Sequence, residues 1–343
     1  MSSPGSSGRR VGAGAVTATG SAGTRERGWA GPDERRGRGG GEMRMVPDAR
    51  PRSYYGHPVL KTPVWKPEVP AYLFTGGLAG ASAVLAAAAR LSGDDLLARR
   101  SLLISLGAVS VSPVLLIRDL GRPARFLNMF RVLKVTSPMS VGSWLLLGAG
   151  AAVGSAAGSD LLGVLRPAGR AAEVVAAALG APLATYSAVL ISDTAVPAWR
   201  EARLELPTIF AASSVSSAGA LAAIVCPPDH ADPARRLAIA GAIVELIGAR
   251  MVERRLGRVG EVYRQGRAGR LLEAAELLAG SGASMLAVAG RRRGVAVVGG
   301  LAVLAGAVCE RWGIFRAGVQ STQDPGHTVA PQRERLSRAV DPA

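Results

Sequence analysis

Apolar and polar residues follow one another along this chain in long blocks rather than in short periods. From residue 68 onward, eight mostly apolar segments are separated by loops that carry most of the charge. A membrane-spanning helix needs about 20 consecutive, mostly apolar residues. The pattern therefore predicts an all-α, polytopic membrane protein with eight transmembrane helices in a bundle. The expected spans are residues 69–89, 102–117, 139–157, 171–192, 206–225, 237–251, 271–289 and 295–314.

The segments at the two ends of the chain differ from this membrane domain. Residues 1–52 are basic and rich in Gly and Ser, a composition typical of disordered tails. We expect the eight-helix domain to cover residues 53–316 and an extramembrane tail to cover residues 317–343. An Arg pair near the start is compatible with an export signal, but a weakly hydrophobic stretch follows it, and later methionines are alternative starts. No functional argument therefore rests on the first segment.

The distribution of charge argues against a nucleic-acid-binding function. The chain has 343 residues, a formal net charge of +16 and 48% hydrophobic residues. Strong basicity is common in nucleic-acid-binding proteins, where the basic residues line one face. Here the arginines lie at the ends of apolar segments. We therefore expect a lipid bilayer, and no nucleic acid, as the surrounding partner.

The loop charges predict an orientation. With eight spans, both termini and the loops after spans two, four and six lie on one face, which we call face one. Leaving out the first segment and counting Arg311 with the C-terminal residues, face one has about twice as many Lys and Arg as face two. The positive-inside rule then predicts that face one and both termini are cytoplasmic.

Cysteine and histidine usage limits the redox chemistry of this chain. The two cysteines are far apart, and all three histidines lie outside the apolar segments. An iron–sulfur cluster needs several thiolates, and a transmembrane haem needs ligands that face each other inside the membrane. We therefore expect no haem and no iron–sulfur cluster in this chain.

Polar residues at the ends of spans one, two and four form the first candidate site. Glu68 and Tyr72 are four residues apart and share a helix face. Asp119 and Arg122 follow span two, either as part of a binding site or as charges that only anchor the helix. Tyr186 lies deep in span four, where its hydroxyl donates either to a ligand or to a neighbouring helix.

Glu245 is the second candidate, because it lies in the middle of span six. A carboxyl group inside a membrane is costly unless it is neutral or paired, so such groups often carry protons. The alternative is a local ion pair with Arg250.

Several short motifs are spread along the chain. They occupy residues 54–61, 72–80, 119–123, 125–129, 137–144, 194–200, 310–312, 324–325 and 331–333. In this order they resemble the NrfD family of polysulfide-reductase-type membrane subunits, from about residue 54 to the C-terminal tail.

The resemblance implies a haem-free subunit, in a bacterial plasma membrane, that binds menaquinone or another quinone. It also implies two partners, an iron–sulfur (ferredoxin-like) electron-transfer subunit and a molybdopterin oxidoreductase subunit. Carried over by position, the quinone pocket consists of Glu68, Tyr72, Asp119, Arg122 and Tyr186. Asp119 and Tyr186 then take the catalytic roles, and Glu245 takes part in proton transfer.

Two other functions remain open at this point. A transporter or a proton-conducting membrane protein without quinone chemistry would have a similar composition. A transporter is expected to show an internal repeat with interrupted helices, and no convincing repeat is visible in the sequence. The third reading is a purely structural anchor for an oxidoreductase, so the sequence does not decide whether the chain takes part in catalysis.

Overall fold

A computed structural model describes residues 60–324. This range contains eight long helices and no β-strand. The helices are α1 Glu68–Leu91, α2 Asp95–Asp119, α3 Pro138–Leu162, α4 Arg166–Ser192, α5 Leu206–Val225, α6 Asp232–Arg255, α7 Gly266–Ala289 and α8 Arg293–Ser321. The predicted all-α membrane architecture is confirmed. Residues 1–52, predicted to be a disordered tail, and residues 325–343 of the expected C-terminal tail lie outside the described residues.

Seven of these eight helices are long and apolar enough to cross a membrane. The eighth, α6, has 24 residues, but it carries Glu245 in its middle and arginines near both ends. It contains the predicted sixth span, residues 237–251, and its charged residues exclude it from the seven helices that are apolar enough to cross a membrane. It packs against α5 and α7 as a full member of the bundle.

Seven of the eight long helices are longer than the apolar segments that predicted them, and α5 has the predicted bounds. Helix α2 begins at Asp95, where residue 102 was expected, and the side chain of Asp94 caps it by accepting a hydrogen bond of 3.0 Å from the N–H of Leu97. Helix α8 continues to Ser321. Arginines at helix ends extend their stems along apolar surface while their charges reach water. The apolar segments therefore mark the membrane-buried part of each helix.

The eight helices form two four-helix bundles, α1–α4 and α5–α8, which we call the first and second bundle. In each, the first helix contacts the second and fourth, and the third contacts the second and fourth. Most connections are short, so successive helices run antiparallel. The bundles meet where α1 and α4 contact α5 and where α1 contacts α8.

A close approach of two backbones lies at the centre of the first bundle. A Cβ atom on Gly80 of α1 would overlap the carbonyl oxygen of Gly180 in α4, and a Cβ atom on Gly180 would meet the carbonyl oxygen of Gly80. Only glycine at both positions allows this contact, as in other tightly packed membrane helices. The contact holds the start of α1 and the end of α4 at the same end of the bundle, which is face one.

Candidate functional site

At face one the start of α1 and the end of α2 are joined directly. The backbone N–H of Lys66 donates a hydrogen bond of 3.2 Å to Oδ1 of Asp119. Tyr72 lies further along α1, and Tyr186 of α4 is close enough to interact with it electrostatically. Three helices that are separate in sequence therefore bring their predicted site residues to one end of the first bundle.

The two tyrosines have unusual surroundings for buried phenols. Tyr72 is 3% exposed and Tyr186 is 8% exposed. Neither hydroxyl has a hydrogen-bond partner within residues 60–324. Buried tyrosine hydroxyls normally find a partner. The pair therefore offers two hydrogen-bond donors that the described protein does not use.

Helix α3 supplies a wall of this site through a glycine. A Cβ atom on Gly142 would overlap the ring and the hydroxyl of Tyr186. The phenol therefore projects into space that only the absence of a side chain leaves open. The sequence analysis did not include Gly142 in the site, although residues 137–144 are one of the motifs on which the resemblance rests.

The charged candidates lie at the edge of the tyrosine pair. Glu68 is half-buried in the first turn of α1, and Asp119 is half-buried at the end of α2. Arg122 is exposed, on the link between α2 and the short helix Pro123–Phe130. Within the described residues Asp119 forms no ion pair with Arg122 or with the other nearby arginines. The structure thus places two tyrosines inside, two carboxyl groups at the rim, and Arg122 at the surface.

An aromatic stack closes face one between the two bundles. The rings of Trp65 and Trp199 are stacked with centroids 5.5 Å apart and an interplanar angle of 11°. Phe315 of α8 lies 5.9 Å from Trp199. Trp199 is fully buried, and its Nε1–H donates a 2.8 Å hydrogen bond to the carbonyl of Ile314. The segment that leads into α1 is thereby fixed against the last helix.

The second bundle contains a different polar group, which we call the carboxylate cluster: Ser216, Glu245, Glu310 and Arg311. The hydroxyl of Ser216 in α5 donates a 3.3 Å hydrogen bond to Oε2 of Glu245, which is 4% exposed. Glu310 and Arg311 are buried in α8 and pair with each other. Both interact electrostatically with Glu245.

The local alternative for Glu245, an ion pair with Arg250, does not form. Arg250 is instead bound to Glu276 of α7, with 2.6 Å between Nη2 and Oε2. Both residues lie nearer the end of their helices facing face one, where the arginine is largely exposed. Glu245 therefore depends on α5 and α8 for its polar contacts.

Arg311 has several partners, although its buried Nε has none among the described residues. Its Nη2 donates to the carbonyl of Phe210 at 3.0 Å and to Oγ of Ser214 at 3.4 Å. Its guanidinium carbon lies 3.8 Å from the centroid of the Phe210 ring, which is a cation–π contact. The sequence analysis missed Glu310 and Arg311 as site candidates. The sequence feature that could have identified them is a pair of adjacent charged residues inside the predicted span 295–314.

A narrow cleft with a volume of about 50 Å³ lies between the helices of the second bundle. Aliphatic side chains form most of its wall, and Glu245 and Glu310 supply buried polar groups. Tyr263 borders it and donates a 2.9 Å hydrogen bond to the carbonyl of Ala198. Burial raises the pKa of the Tyr263 hydroxyl. The molecule therefore has two interior sites with different chemistry.

Residues 60–324 contain no group of three or more His, Cys, Asp or Glu side chains placed to hold a metal ion. Nδ1 of His230 lies 2.9 Å from Oδ1 of Asp94 near face two. Cys226 and Cys309 are free thiols. His57 and His327 lie outside the described residues.

Comparison with known proteins gives one family. The family described as polysulphide reductase, NrfD, matches residues 59–228. The match covers the whole first bundle, with the tyrosine pair, and helix α5. No curated protein matches the chain.

Proposed function

The chain belongs to the NrfD family through residues 59–228, and on that basis we propose that it is the quinone-binding membrane subunit of a multisubunit oxidoreductase. Members of this family are membrane subunits of quinone-linked oxidoreductase complexes. The chain would exchange electrons between an iron–sulfur partner, serving a molybdopterin-dependent catalytic subunit, and the menaquinone pool. The observation that carries the proposal is the pair of buried tyrosines with unused hydroxyls at face one.

The residues present fit a quinone head group. Such a head group is a flat, largely apolar ring with two carbonyl acceptors, and it needs donors that do not bring a buried charge. Tyr72 and Tyr186 supply neutral donors, and the absence of a side chain at Gly142 makes room for the ring of Tyr186. When bound, the quinone supplies the redox chemistry by taking up two electrons and two protons to become a quinol.

Each predicted residue then has a distinct role. Tyr72 and Tyr186 hold and orient the carbonyl oxygens. Asp119 and Glu68, half-buried at the rim, exchange protons between the site and water at face one. Arg122 keeps positive charge at the mouth of the site, close to Asp119 in the chain. Apolar neighbours of the tyrosines keep bulk water out.

Partner and membrane placement follow from the position of the site. Electron transfer needs a short distance between donor and acceptor, so the iron–sulfur partner would dock at face one, beside the tyrosine pair. The excess of Lys and Arg on that face favours the cytoplasmic side of a bacterial plasma membrane for face one and for both termini.

Replacing each site tyrosine by phenylalanine in the assembled complex tests the quinone site. Tyr72→Phe and Tyr186→Phe each remove one donor, so quinone affinity should fall about three- to tenfold, the equivalent of a hydrogen bond worth about 0.5–1.5 kcal/mol. Tyr263→Phe is the matched control, because its hydroxyl serves the carbonyl of Ala198. It should leave quinone affinity unchanged. Normal affinity and turnover in both site variants would refute the assignment.

Proton transfer by Glu245 is a separate part of the proposal. Its carboxyl group is buried next to an apolar cleft and receives one hydrogen bond from Ser216. In reconstituted complex, Glu245→Gln should lower the number of protons moved per electron while quinone affinity stays the same. Exposed Glu273 of α7 offers the control, since Glu273→Gln should change neither quantity. Unchanged proton movement in Glu245→Gln would remove this role.

The carboxylate cluster also supports a second candidate, a proton-conducting protein without quinone chemistry. The repeated arrangement of the two bundles agrees with the internal repeat expected of a transporter. Each of the eight long helices runs without a break through the described residues, however, whereas transporter repeats have interrupted helices at their binding site. Loss of quinone binding in wild-type protein, with proton flux retained, would favour this candidate.

A further inference from the structure

The four helices of the first bundle line a pocket of about 450 Å³ at face two, at the end opposite the tyrosine pair. Its lining contains four arginines and three carboxyl groups. None of these residues belongs to the proposed quinone site or to the carboxylate cluster. The pocket is therefore a separate polar site of the molecule.

The inner part of the pocket is a network of ion pairs centred on Arg90 of α1. Arg90 binds Asp95 at 2.8 Å, Glu173 at 3.1 Å and Asp160 at 3.3 Å. Arg99 of α2 makes a further contact with Asp160, at 3.4 Å. Three carboxylates thus share two arginines, so this inner network has an excess of negative charge.

Glu173 of α4 is the member of this network whose contacts are incomplete. It is 4% exposed, and Arg90 binds its Oε2. Its Oε1 has no hydrogen-bond partner within residues 60–324. Buried carboxylate oxygens normally accept hydrogen bonds, and leaving one without a donor is costly. Because the network is already negative, the donor that fits Oε1 best is a positively charged one.

The outer part of the pocket has the opposite charge. Arg166 and Arg170 of α4 are exposed, and neither side chain makes an ion pair or a hydrogen bond within the described residues. Arg166 is also the first residue of α4, and helix N-termini favour anions. Positions 166, 170 and 173 share one side of the helix. An anion held by the two arginines would therefore lie beside a cation held by Glu173.

The pocket opens beside a turn that fits the depth of lipid head groups. The link from α3 to α4 contains four aliphatic residues that are half exposed or more, Leu161, Leu162, Val164 and Leu165. Exposed aliphatic side chains next to exposed arginines are typical of the boundary between acyl chains and head groups. A ligand that combines acyl chains with a charged head group matches these surroundings.

We propose that this pocket binds the zwitterionic head group of phosphatidylethanolamine from the membrane leaflet at face two. The ammonium group donates to Oε1 of Glu173 and offsets the excess negative charge of the inner network. The phosphate, joined to it by a short ethylene bridge, lies between Arg166 and Arg170. The distance suits this bridge, because positions 170 and 173 are about 4.5 Å apart along the helix axis. The inference does not depend on the proposed quinone site, which lies at face one.

Other lipid head groups match only part of this arrangement. Phosphatidylcholine carries the same charges, but its quaternary nitrogen has no N–H to donate to Glu173. Phosphatidylglycerol offers a phosphate and hydroxyl donors, but no positive charge for the inner network. If water binds Oε1 instead, and the arginines attract any lipid phosphate, lipids of equal net charge should bind equally. These lipids therefore distinguish an ethanolamine site from a general attraction to phosphate.

The test is native mass spectrometry of the full-length protein in detergent, titrated with each of the three lipids carrying identical acyl chains. Wild-type protein should bind phosphatidylethanolamine about tenfold more tightly than phosphatidylcholine, which corresponds to about 1.4 kcal/mol. Glu173→Gln should abolish this preference and leave phosphatidylcholine binding unchanged. Arg166→Gln combined with Arg170→Gln should weaken the binding of both lipids about tenfold, because the phosphate loses its partners.

The matched control removes the same charge from the same face. Arg236 and Arg292 are exposed at face two and lie outside the pocket. Arg236→Gln combined with Arg292→Gln should therefore bind all three lipids as wild-type protein does. An equal loss of binding in this control and in the double variant of the pocket would overturn the site, because general attraction to charge would explain both.

Two further results would contradict the proposal. Wild-type protein that binds phosphatidylcholine as tightly as phosphatidylethanolamine, or phosphatidylglycerol more tightly, would overturn the ethanolamine site. An unchanged preference in Glu173→Gln would overturn it as well. The comparison of lipids in wild-type protein needs no substitution, so it decides the proposal even where Glu173→Gln impairs folding.

Discussion

The two bundles repeat one arrangement of neighbouring helices, and yet their interiors have opposite chemistry. The first bundle contains neutral hydroxyls, and those of Tyr72 and Tyr186 have no partner within residues 60–324. The second contains Glu245, Glu310 and Arg311, each of which binds another group, although Oε1 of Glu310 and Nε of Arg311 have no partner among the described residues. An unused hydroxyl costs far less than an unpaired charge. A site with free hydrogen-bond donors can therefore be built from hydroxyls, whereas buried charges need an opposite charge beside them, as Glu310 has in Arg311.

The difference between the two interiors can be followed at corresponding helix positions of the two bundles. Tyr72 is the fifth residue of α1, and Phe210 is the fifth residue of α5. Tyr186 and Arg311 lie at similar depths in α4 and α8, the fourth helix of each bundle. In the second bundle the arginine lies over the phenylalanine ring. A cation–π pair within the protein thus stands at the helix positions that the tyrosine pair occupies in the first bundle.

Of the substitutions that test this comparison, the removal of Arg311 should change the free energy of unfolding most. Arg311→Ala leaves Glu310 buried without its cation, which should lower the free energy of unfolding by about 3–5 kcal/mol. Thermal unfolding of the detergent-solubilised protein measures the change. Arg250→Ala is the control, because its ion pair with Glu276 is exposed on the arginine side and should contribute at most about 1 kcal/mol. Equal losses in the two variants would show that the second bundle does not depend on buried charge.

A methyl group at Gly142 tests the close contact between this glycine and Tyr186 in the first bundle. Gly142→Ala would press against the ring of Tyr186, and overpacking of this kind costs about 1–3 kcal/mol. Quinone affinity should fall by the corresponding factor, measured by titration of the complex with a quinone analogue. Gly154→Ala, on the same helix, is the control, since its Cβ atom meets no described residue within 4 Å. Unchanged affinity in Gly142→Ala would place the quinone elsewhere.

The smallest effect is expected where the bundles meet. Trp65→Leu keeps apolar bulk and removes the stacking on Trp199, so the free energy of unfolding should fall by about 0.5–1.5 kcal/mol. Chemical denaturation monitored by tryptophan fluorescence of the two proteins measures it. A loss as large as that of Arg311→Ala would mean that the stack, rather than the buried charges, dominates the stability of the protein.

The sequence predicts the helices well, because they depend on local patterns, and local patterns also single out the candidates for the first site. Apolar blocks locate the spans, and Tyr72 and Tyr186 stand out as polar groups within apolar helices. Local patterns do not identify Gly142, because its role depends on the ring of Tyr186, which faces it from α4. Arg311 was counted with the C-terminal charges of face one, since sequence alone does not show that Phe210 and Ser214 surround it.

Photoaffinity labelling of the assembled complex with an azido-naphthoquinone tests the central claim most directly. The cleft beside Glu245 in the second bundle is the competing location. We expect the label in peptides of the first bundle, around residues 68–76 and 183–190, and its loss when excess unmodified menaquinone analogue is present. Label confined to residues 206–316, around Glu245, would contradict the account.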